Sequence, residues 1–187
     1  MISSAGAAGQ ARALLISGST RAGSVNTAAL ATVASLAPAG VTAVAYDGLA
    51  VLPAFNPDHD GDSLPDEPAR LRQEIELASA VWVSTPEYAG NLPGSLKNLL
   101  DWTVGGGQLY DKPVAWLDVA AEGRGSGAHN ALLTVLGYVG ADIVEAACRR
   151  VPVDRASVGP DGTVTDPGLR AAVTAARNGL LRYLAAG

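Results

Sequence analysis

The sequence predicts an α/β protein in which a doubly wound, five-stranded parallel sheet carries helices on both faces. Short apolar runs alternate along the chain with segments whose apolar residues recur at helical spacing. Strands that alternate with helices form parallel sheets, because each helical crossover returns the chain to the same end of the sheet. We therefore expect one domain over residues 11–187, preceded by a flexible tail at residues 1–10.

The five predicted strands are short, apolar and bounded by glycine, proline or polar residues. They occupy residues 12–17, 41–46, 80–84, 114–119 and 142–148, and the last is expected to extend towards Val153. The third strand is apolar along almost its whole length. Such a strand is expected at the centre of a sheet that is covered on both faces.

The predicted helices follow from apolar stripes at helical spacing and from residues that begin or end helices. They occupy residues 27–37, 67–79, 93–103, 128–139 and a final segment that starts at Pro167. Asn26 or Thr27 is expected to cap the first helix, and Asp166 the last. Residues 47–66 form a long irregular loop of the kind that carries function or packs on a partner.

Composition excludes several classes of protein. The chain has 187 residues, of which 48% are hydrophobic, and this fits one globular domain. A net charge of −5 with only 13 Lys and Arg argues against a nucleic-acid or anionic-membrane partner. No apolar run reaches the roughly 18 residues of a membrane span, and no secretory signal opens the chain, so a cytoplasmic location is expected. Cys148, the single cysteine, is expected to be a small buried core residue.

No metal site and no catalytic side chain are predicted. The acidic and histidine residues of the long loop are expected to be solvated turn residues, namely Asp58, His59, Asp60 and Asp62. Ser126 and His129 lie close in sequence without a paired acid, which does not support a catalytic triad.

The stretch from Leu14 to Thr27 predicts an anion-binding loop. An apolar strand passes into a loop of glycine, serine and threonine with one arginine, Arg21, and then into a helix start. The free amides and the dipole of a helix N-terminus favour an anion, and a charge-assisted arginine contact adds about 1.5–3 kcal/mol. No carboxylate precedes Asp47 to repel an anion, although a buried strand and an Ala-rich helix would also need few charges.

A second motif follows the third predicted strand. It reads Pro86-Glu87-Tyr88 and then P-G-x-L-K-N-x-x-D-W from Pro93. The prolines restrict this backbone, and the amides of Tyr88, Ala89 and Gly90 are expected to face the polar edge of a planar ring. In the helix of this motif, Lys97 and Asp101 are expected to form an ion pair, and Trp102 to lie in the core or an interface.

Together, the two motifs resemble those of the NADPH-dependent FMN reductase family. The resemblance implies a flavodoxin-like fold with strand order 2-1-3-4-5, and a ligand where the loops after strands one and three meet. It implies an FMN phosphate held by Ser19, Arg21, Ser24, Val25, Asn26 and Thr27. It implies a flavin ring edge near Pro86, Glu87, Tyr88, Ala89 and Gly90, with Gly123 and Arg124 in the loop after strand four. The chain departs from the family at Ala89, where asparagine is common, and at Glu122, which argues against a purely phosphate-binding role for the fourth loop.

The resemblance further implies an FMN-dependent NAD(P)H oxidoreductase. NADPH or NADH would pass hydride to FMN and then leave. An acceptor such as a quinone, an azo compound, a metal oxyanion or oxygen would then bind where the nicotinamide was. A homodimer or homotetramer is expected, with residues 47–66 or 93–103 near the interface. Two alternatives are a flavodoxin-type electron carrier and a scaffold without flavin. The Ser-x-Arg loop and the few aromatic residues (3 Trp, 5 Tyr, 1 Phe) argue against the carrier.

Overall fold

The computed structural model describes residues 11–61 and 63–186 of the chain. The predicted tail of residues 1–10 lies outside these described residues, as do Asp62 and Gly187. Within the described ranges, no helix combines the length and the apolar character that crossing a bilayer requires.

The strands form one parallel sheet of the predicted flavodoxin-like order. They are β1 (Ala11–Ser17), β2 (Val41–Ala45), β3 (Ala80–Ser84), β4 (Pro113–Asp118), β5 (Asp142–Ile143) and β6 (Arg149–Arg150). The order across the sheet is β2-β1-β3-β4-β5, and β6 also pairs with β4. Because β1 lies between β2 and β3, the chain winds in opposite directions from this point, which is the topological switch point of the sheet.

The prediction of a continuous fifth strand over residues 142–148 is wrong. The chain pairs with β4 at Asp142–Ile143, turns through a short 3-10 helix at Glu145–Ala147, and pairs with β4 again at Arg149–Arg150. The interruption faces the last helix, whose backbone at Gly179 is so close that an added Cβ would lie 2.3 Å from the Ala146 carbonyl oxygen. Glutamate and alanine are weak strand formers, so packing against this helix prevails over strand pairing here.

Among the described residues, four α-helices connect the strands and a fifth follows the last strand, all close to the predicted positions. They are α1 (Val25–Ser35), α2 (Asp66–Leu77), α3 (Gly94–Asp101), α4 (Ser126–Tyr138) and α5 (Pro167–Ala186). The expected cap of α5 is confirmed, since Asp166 Oδ1 accepts a hydrogen bond of 2.8 Å from the Leu169 amide. The expected cap of α1 is wrong, because this helix begins two residues early and Ser24 occupies the N-cap position.

The core consists of two apolar layers, one on each face of the sheet. Leu14 and Ile16 of β1 point into the layer formed with α2, α3 and α4. Leu15 of the same strand and Trp82 of β3 point into the layer formed with α1 and α5. Successive side chains of a strand alternate between faces, so strands covered on both sides are apolar throughout. This arrangement confirms the doubly wound architecture.

The long loop after β2 packs on α3 through the second motif. The Asn98 side chain accepts a hydrogen bond of 2.7 Å from the Phe55 amide and donates one of 2.8 Å to the Pro53 carbonyl. Trp102 Nε1 donates to the same Pro53 carbonyl at 2.8 Å, and its ring meets Phe55 edge-to-face at 5.0 Å. Trp102 is fully buried. The asparagine and tryptophan of the motif therefore hold the long loop against the helix.

Three further predictions concern residues away from the cofactor motifs. The expected pair on α3 is confirmed, with Lys97 Nζ 2.6 Å from Asp101 Oδ1. The expectation that Asp60 of the long loop is solvated is wrong, because it forms an ion pair with Arg72 on α2 and its side chain is only 10% exposed. The prediction that Cys148 is fully buried is wrong, because its side chain is only half-buried. Its burial still raises the pKa of the thiol to about 11.

Candidate functional site

The loops that follow β1 and β3 meet at the switch point, as the sequence predicts. The Gly18 amide donates a hydrogen bond of 2.8 Å to the Ser84 carbonyl at the end of β3. A Cβ on Gly18 would lie 2.3 Å from Thr85 Oγ1, so this approach requires glycine. The first loop is therefore seated directly against the start of the second.

The first turn of α1 is tied to the sheet by its own side chains. The Ser84 hydroxyl lies 2.9 Å from the Asn26 side-chain oxygen and 2.8 Å from the Leu117 carbonyl. Thr27 Oγ1 lies 2.8 Å from Ser17 Oγ at the end of β1. Asn26 and Thr27 therefore use their side chains to hold the first turn of α1 against the strands. Both lie inside the helix, which begins at Val25, rather than at its cap. Within the described chain, the N-cap residue Ser24 makes no side-chain capping bond.

The loop between β1 and α1 is folded on itself by hydroxyl groups. The Ser19 amide donates to Ser17 Oγ at 3.3 Å, and the Arg21 amide donates to Ser19 Oγ at 3.3 Å. The Arg21 side chain is exposed and has no ion-pair partner among residues 11–61 and 63–186. The loop thus presents a guanidinium beside the positive end of the α1 dipole.

A two-residue turn of type I′ forms the tip of the loop after β3. Tyr88 and Asn91 exchange backbone hydrogen bonds of 3.0 Å in both directions, and the intervening Ala89 and Gly90 have φ angles of 51° and 74°. The Tyr88 amide is therefore occupied, which corrects the expectation that three amides here are free for a ligand. Among the described residues, the amides of Ala89 and Gly90 have no backbone acceptor.

Glu87 joins this loop to the start of α4. Its Oε2 accepts hydrogen bonds of 2.7 Å from the Gly127 amide and 3.1 Å from the Ala128 amide. A Cβ on Gly127 would lie 2.1 Å from the Gly90 carbonyl oxygen, so this loop and the first turn of α4 are in direct backbone contact. The Glu87 carboxylate consequently caps α4, a role that the sequence did not indicate because the two segments are forty residues apart.

Asp118, the last residue of β4, pairs with Arg150 of the neighbouring β6. Asp118 is 8% exposed, and its Oδ1 accepts a hydrogen bond of 3.0 Å from the Ala120 amide. Arg150 Nε lies 3.4 Å from Asp118 Oδ2, and the same guanidinium donates to the Arg124 carbonyl. Arg150 therefore both balances the buried carboxylate and holds the loop that follows β4.

An open cavity of about 280 Å³ lies between these loops. Its lining includes five of the predicted residues, namely Val25, Asn26, Pro86, Glu87 and Arg124. The other lining residues were not predicted from the sequence, namely Thr85, Val119, Ala120, Ala121, Gly125 and Val153. The remaining predicted residues lie in the adjoining loops outside the lining itself, namely Ser19, Arg21, Ser24, Thr27, Tyr88, Ala89, Gly90 and Gly123. Thr85 and Gly125 adjoin predicted residues, whereas nothing in the sequence indicated Val153.

The donor set of this region suits a phosphorylated, planar ligand. The first loop and the helix start after it carry hydroxyl groups, free helix amides and a guanidinium that forms no ion pair with residues 11–61 or 63–186, and each of these groups favours an anion. The cavity beside it is lined mainly by small or apolar side chains. The fold and the site together define a flavodoxin-like α/β protein whose loop after β1 carries groups that favour an anion, beside a cavity at the switch point.

Comparison with known proteins defines the family. Residues 11–151 match the model of the NADPH-dependent FMN reductase family, and the chain belongs to this family. The chain is 38% identical over 91 residues to an NAD(P)H-dependent FMN reductase of Pseudomonas aeruginosa, which covers 49% of each chain. It is 34% identical over 99 residues to a quinone reductase of Escherichia coli, which covers 52% of this chain and 51% of that one. The matches thus span about half the length of these curated relatives.

A solved structure resembles the chain over most of its length. It is the flavoenzyme NAD(P)H:(acceptor) oxidoreductase FerB of Paracoccus denitrificans, with 26% identity and a TM-score of 0.73. The likeness covers 92% of this chain and 98% of that one. An azoreductase of Bacillus anthracis, 20% identical with a TM-score of 0.58, shares the fold.

Proposed function

We propose that this protein is an FMN-dependent NAD(P)H oxidoreductase that reduces a small acceptor. The observation that carries the proposal is that the Ser-x-Arg loop meets the proline-bracketed loop at the switch point, beside a cavity lined by the start of α1 and by the proline-bracketed loop. Membership of the family supports it, as do the names of the relatives, which are an FMN reductase, a quinone reductase and an NAD(P)H:(acceptor) oxidoreductase.

The first loop is the proposed phosphate site. The hydroxyls of Ser19, Ser24 and Thr27 and the amides at the start of α1, including that of Val25, are the hydrogen-bond donors. Arg21 supplies the positive charge, and no carboxylate among residues 11–46 opposes it. Asn26 acts differently, because its side-chain oxygen is engaged by Ser84. We assign it to fixing the first turn of α1 beside the cavity.

The loops after β3 and β4 form the proposed flavin site. When bound, FMN supplies the redox chemistry, and the chain supplies position and polarity. The amides of Ala89 and Gly90 are the donors proposed for the polar edge of the ring. Pro86, earlier in the same loop, lines the cavity. Glu87 holds this loop against α4 rather than exchanging a proton, since both of its contacts are backbone amides.

The open side of the cavity is the proposed route for the nicotinamide and the acceptor. Arg124, an exposed residue of the lining, is placed to attract the anionic NADPH or NADH, with Gly123 beside it. The proposed acceptors are planar and electron-poor, as quinones and azo compounds are. The names of the relatives favour quinones, and an azo compound, a metal oxyanion or oxygen are the further candidates.

The test of the proposal is FMN binding and nicotinamide oxidation by the purified protein. We expect Arg21→Ala to weaken FMN affinity at least tenfold, about 1.4 kcal/mol, as measured by quenching of flavin fluorescence. Arg21→Lys retains the charge and should lose less. Unchanged affinity in Arg21→Ala would mean that amides and hydroxyls alone hold the phosphate.

The same preparation separates the alternatives. Oxidation of NADPH or NADH in the presence of a quinone supports an enzyme. A protein that binds FMN but oxidises neither nucleotide would be an electron carrier, which contradicts the proposal. A protein that stays colourless after addition of FMN would be a scaffold without flavin.

We also propose that the protein forms a homodimer or homotetramer through the long loop or α3. Each region exposes an apolar side chain: Val51 in the long loop is 68% exposed, and Val104, just after α3, is 60% exposed. Light scattering is expected to give at least twice the 18.8 kDa chain mass, and a monomer at micromolar concentration would contradict this. A cytoplasmic location stays a prediction from the sequence.

A further inference from the structure

The segment between β6 and α5 runs beside the cavity, beyond the part of the chain that matches the family. The match ends at residue 151, and the chain then continues along the end of β4. The Val151 amide donates 2.8 Å to the Asp118 carbonyl, and the Val153 amide donates 3.2 Å to the Val119 carbonyl. Val153 lines the cavity. This segment is therefore a further wall of the proposed flavin site.

Arg155 lies in a short 3-10 helix of this segment whose backbone is fixed on both sides. Asp154 Oδ1 accepts a hydrogen bond of 2.9 Å from the Ala156 amide and so caps the turn. On the other side, the Thr165 amide donates 2.8 Å to the Ser157 carbonyl. The backbone is thus held at Ala156, next to Arg155, and at Ser157, which ends the same turn, and this restricts where the Arg155 side chain can reach.

The Arg155 side chain reaches the first loop. Its Nη2 lies 3.6 Å from the position that a Cβ would occupy on Gly23, the residue before the N-cap of α1. Arg155 makes no ion pair within residues 11–61 and 63–186, unlike Arg12, Arg70 and Arg150. Its guanidinium therefore adds positive charge at the positive end of a helix dipole. A bound anion would balance this positive charge.

We propose that Arg155 is a second phosphate-binding arginine. It contacts the FMN phosphate from the segment before α5, on the side opposite to the β1–α1 loop that carries Arg21. This inference rests on the proposed function, because it assigns a residue to the same flavin site. The phosphate would then be held between a guanidinium from the β1–α1 loop and one from the segment before α5. Two guanidinium groups suit the roughly two negative charges of a phosphate monoester at pH 7.

The experiment compares FMN with riboflavin, which is the same flavin without its phosphate. Dissociation constants of the full-length protein are measured by quenching of flavin fluorescence for the wild type, Arg155→Ala and Arg155→Lys. Arg182→Ala is the matched control, because Arg182 is an exposed arginine on α5. We expect Arg155→Ala to weaken FMN binding about fivefold or more, Arg155→Lys less, and Arg182→Ala not at all. Riboflavin affinity should be the same in all four proteins.

Each contrary result has a distinct meaning. Unchanged FMN affinity in Arg155→Ala overturns the inference and leaves the proposed function intact. An equal loss for FMN and riboflavin assigns Arg155 to supporting the loop, which also overturns it. A higher KM for NADPH with unchanged FMN affinity assigns the guanidinium to the dinucleotide instead. A wild-type protein that binds neither flavin overturns the proposed function itself, and this inference with it.

Discussion

Ala89 has a backbone conformation that is unfavourable for its residue type. Its φ of 51° lies in the left-handed region, which costs an L-residue roughly 1–2 kcal/mol. Type I′ turns favour Asn-Gly at their two central positions, whereas this turn has Ala-Gly. The asparagine that is common here in the family therefore has a backbone explanation. The departure is visible in the sequence, but the reason for it requires the φ angle.

We expect Ala89→Asn to stabilise the protein by about 0.5–1 kcal/mol, because asparagine tolerates the left-handed region better than alanine. The midpoint of urea unfolding is the measurement. Ala50→Asn is the matched control, since Ala50 is exposed in a 3-10 helix and does not have a positive φ. Equal gains in both variants would show that the turn conformation is not the cause.

At the scale of elements, α4 depends on a residue that is distant in sequence. It begins after Gly125, whose φ is 85°, and its first amides are satisfied by Glu87 from the loop after β3. Apolar spacing predicted the existence of this helix but could not reveal its cap. The broken fifth strand is a similar case, because the approach of α5 to Ala146 is visible only in the folded chain.

Removal of this cap is expected to destabilise the protein. Glu87→Ala should lower the free energy of unfolding by about 0.5–2 kcal/mol, the usual range for loss of a helix cap. Glu87→Gln should lose less, because its amide oxygen still accepts hydrogen bonds. Urea unfolding measures both, with Glu122→Ala as an exposed acidic control. A loss in Glu122→Ala as large as in Glu87→Ala would contradict the capping role.

At the scale of the whole molecule, three carboxyl groups link stability to pH. Hydrogen bonds from Arg70 lower the pKa of Glu67 and of Asp47, and a hydrogen bond from the Thr163 amide lowers that of Asp161. The ordinary values are 4.5 for glutamate and 3.8 for aspartate. As pH falls, the unfolded chain takes up these protons first. The stabilisation is therefore present above about pH 4.5 and lost below it.

We expect the free energy of unfolding to fall as the pH is lowered from about 5 to about 3. Arg70→Gln should make this fall smaller, because two of the three carboxyl groups lose the hydrogen bond that lowers their pKa. Urea unfolding at four pH values across this range gives both slopes. Parallel slopes for the wild type and the variant would contradict the assignment.

Much of the whole-molecule arrangement could be predicted, and the rest depends on tertiary contacts. Alternating apolar runs predicted the strands and helices, but strand order came from the family resemblance, because spacing alone cannot determine it. The contact between the β1 and β3 loops followed from that order. Val153 and Arg155 could not be predicted, because they reach the site only where the chain after β6 continues beside the end of β4.

The backbone contact between Gly90 and Gly127 limits how this protein can be engineered. A larger side chain at Gly127 would push the loop after β3 away from the first turn of α4, so attempts to change the range of acceptors there should damage the cofactor site. Ala120 and Ala121, in the loop after β4, line the cavity and already carry side chains. Redesign of acceptor choice should therefore begin at these two alanines.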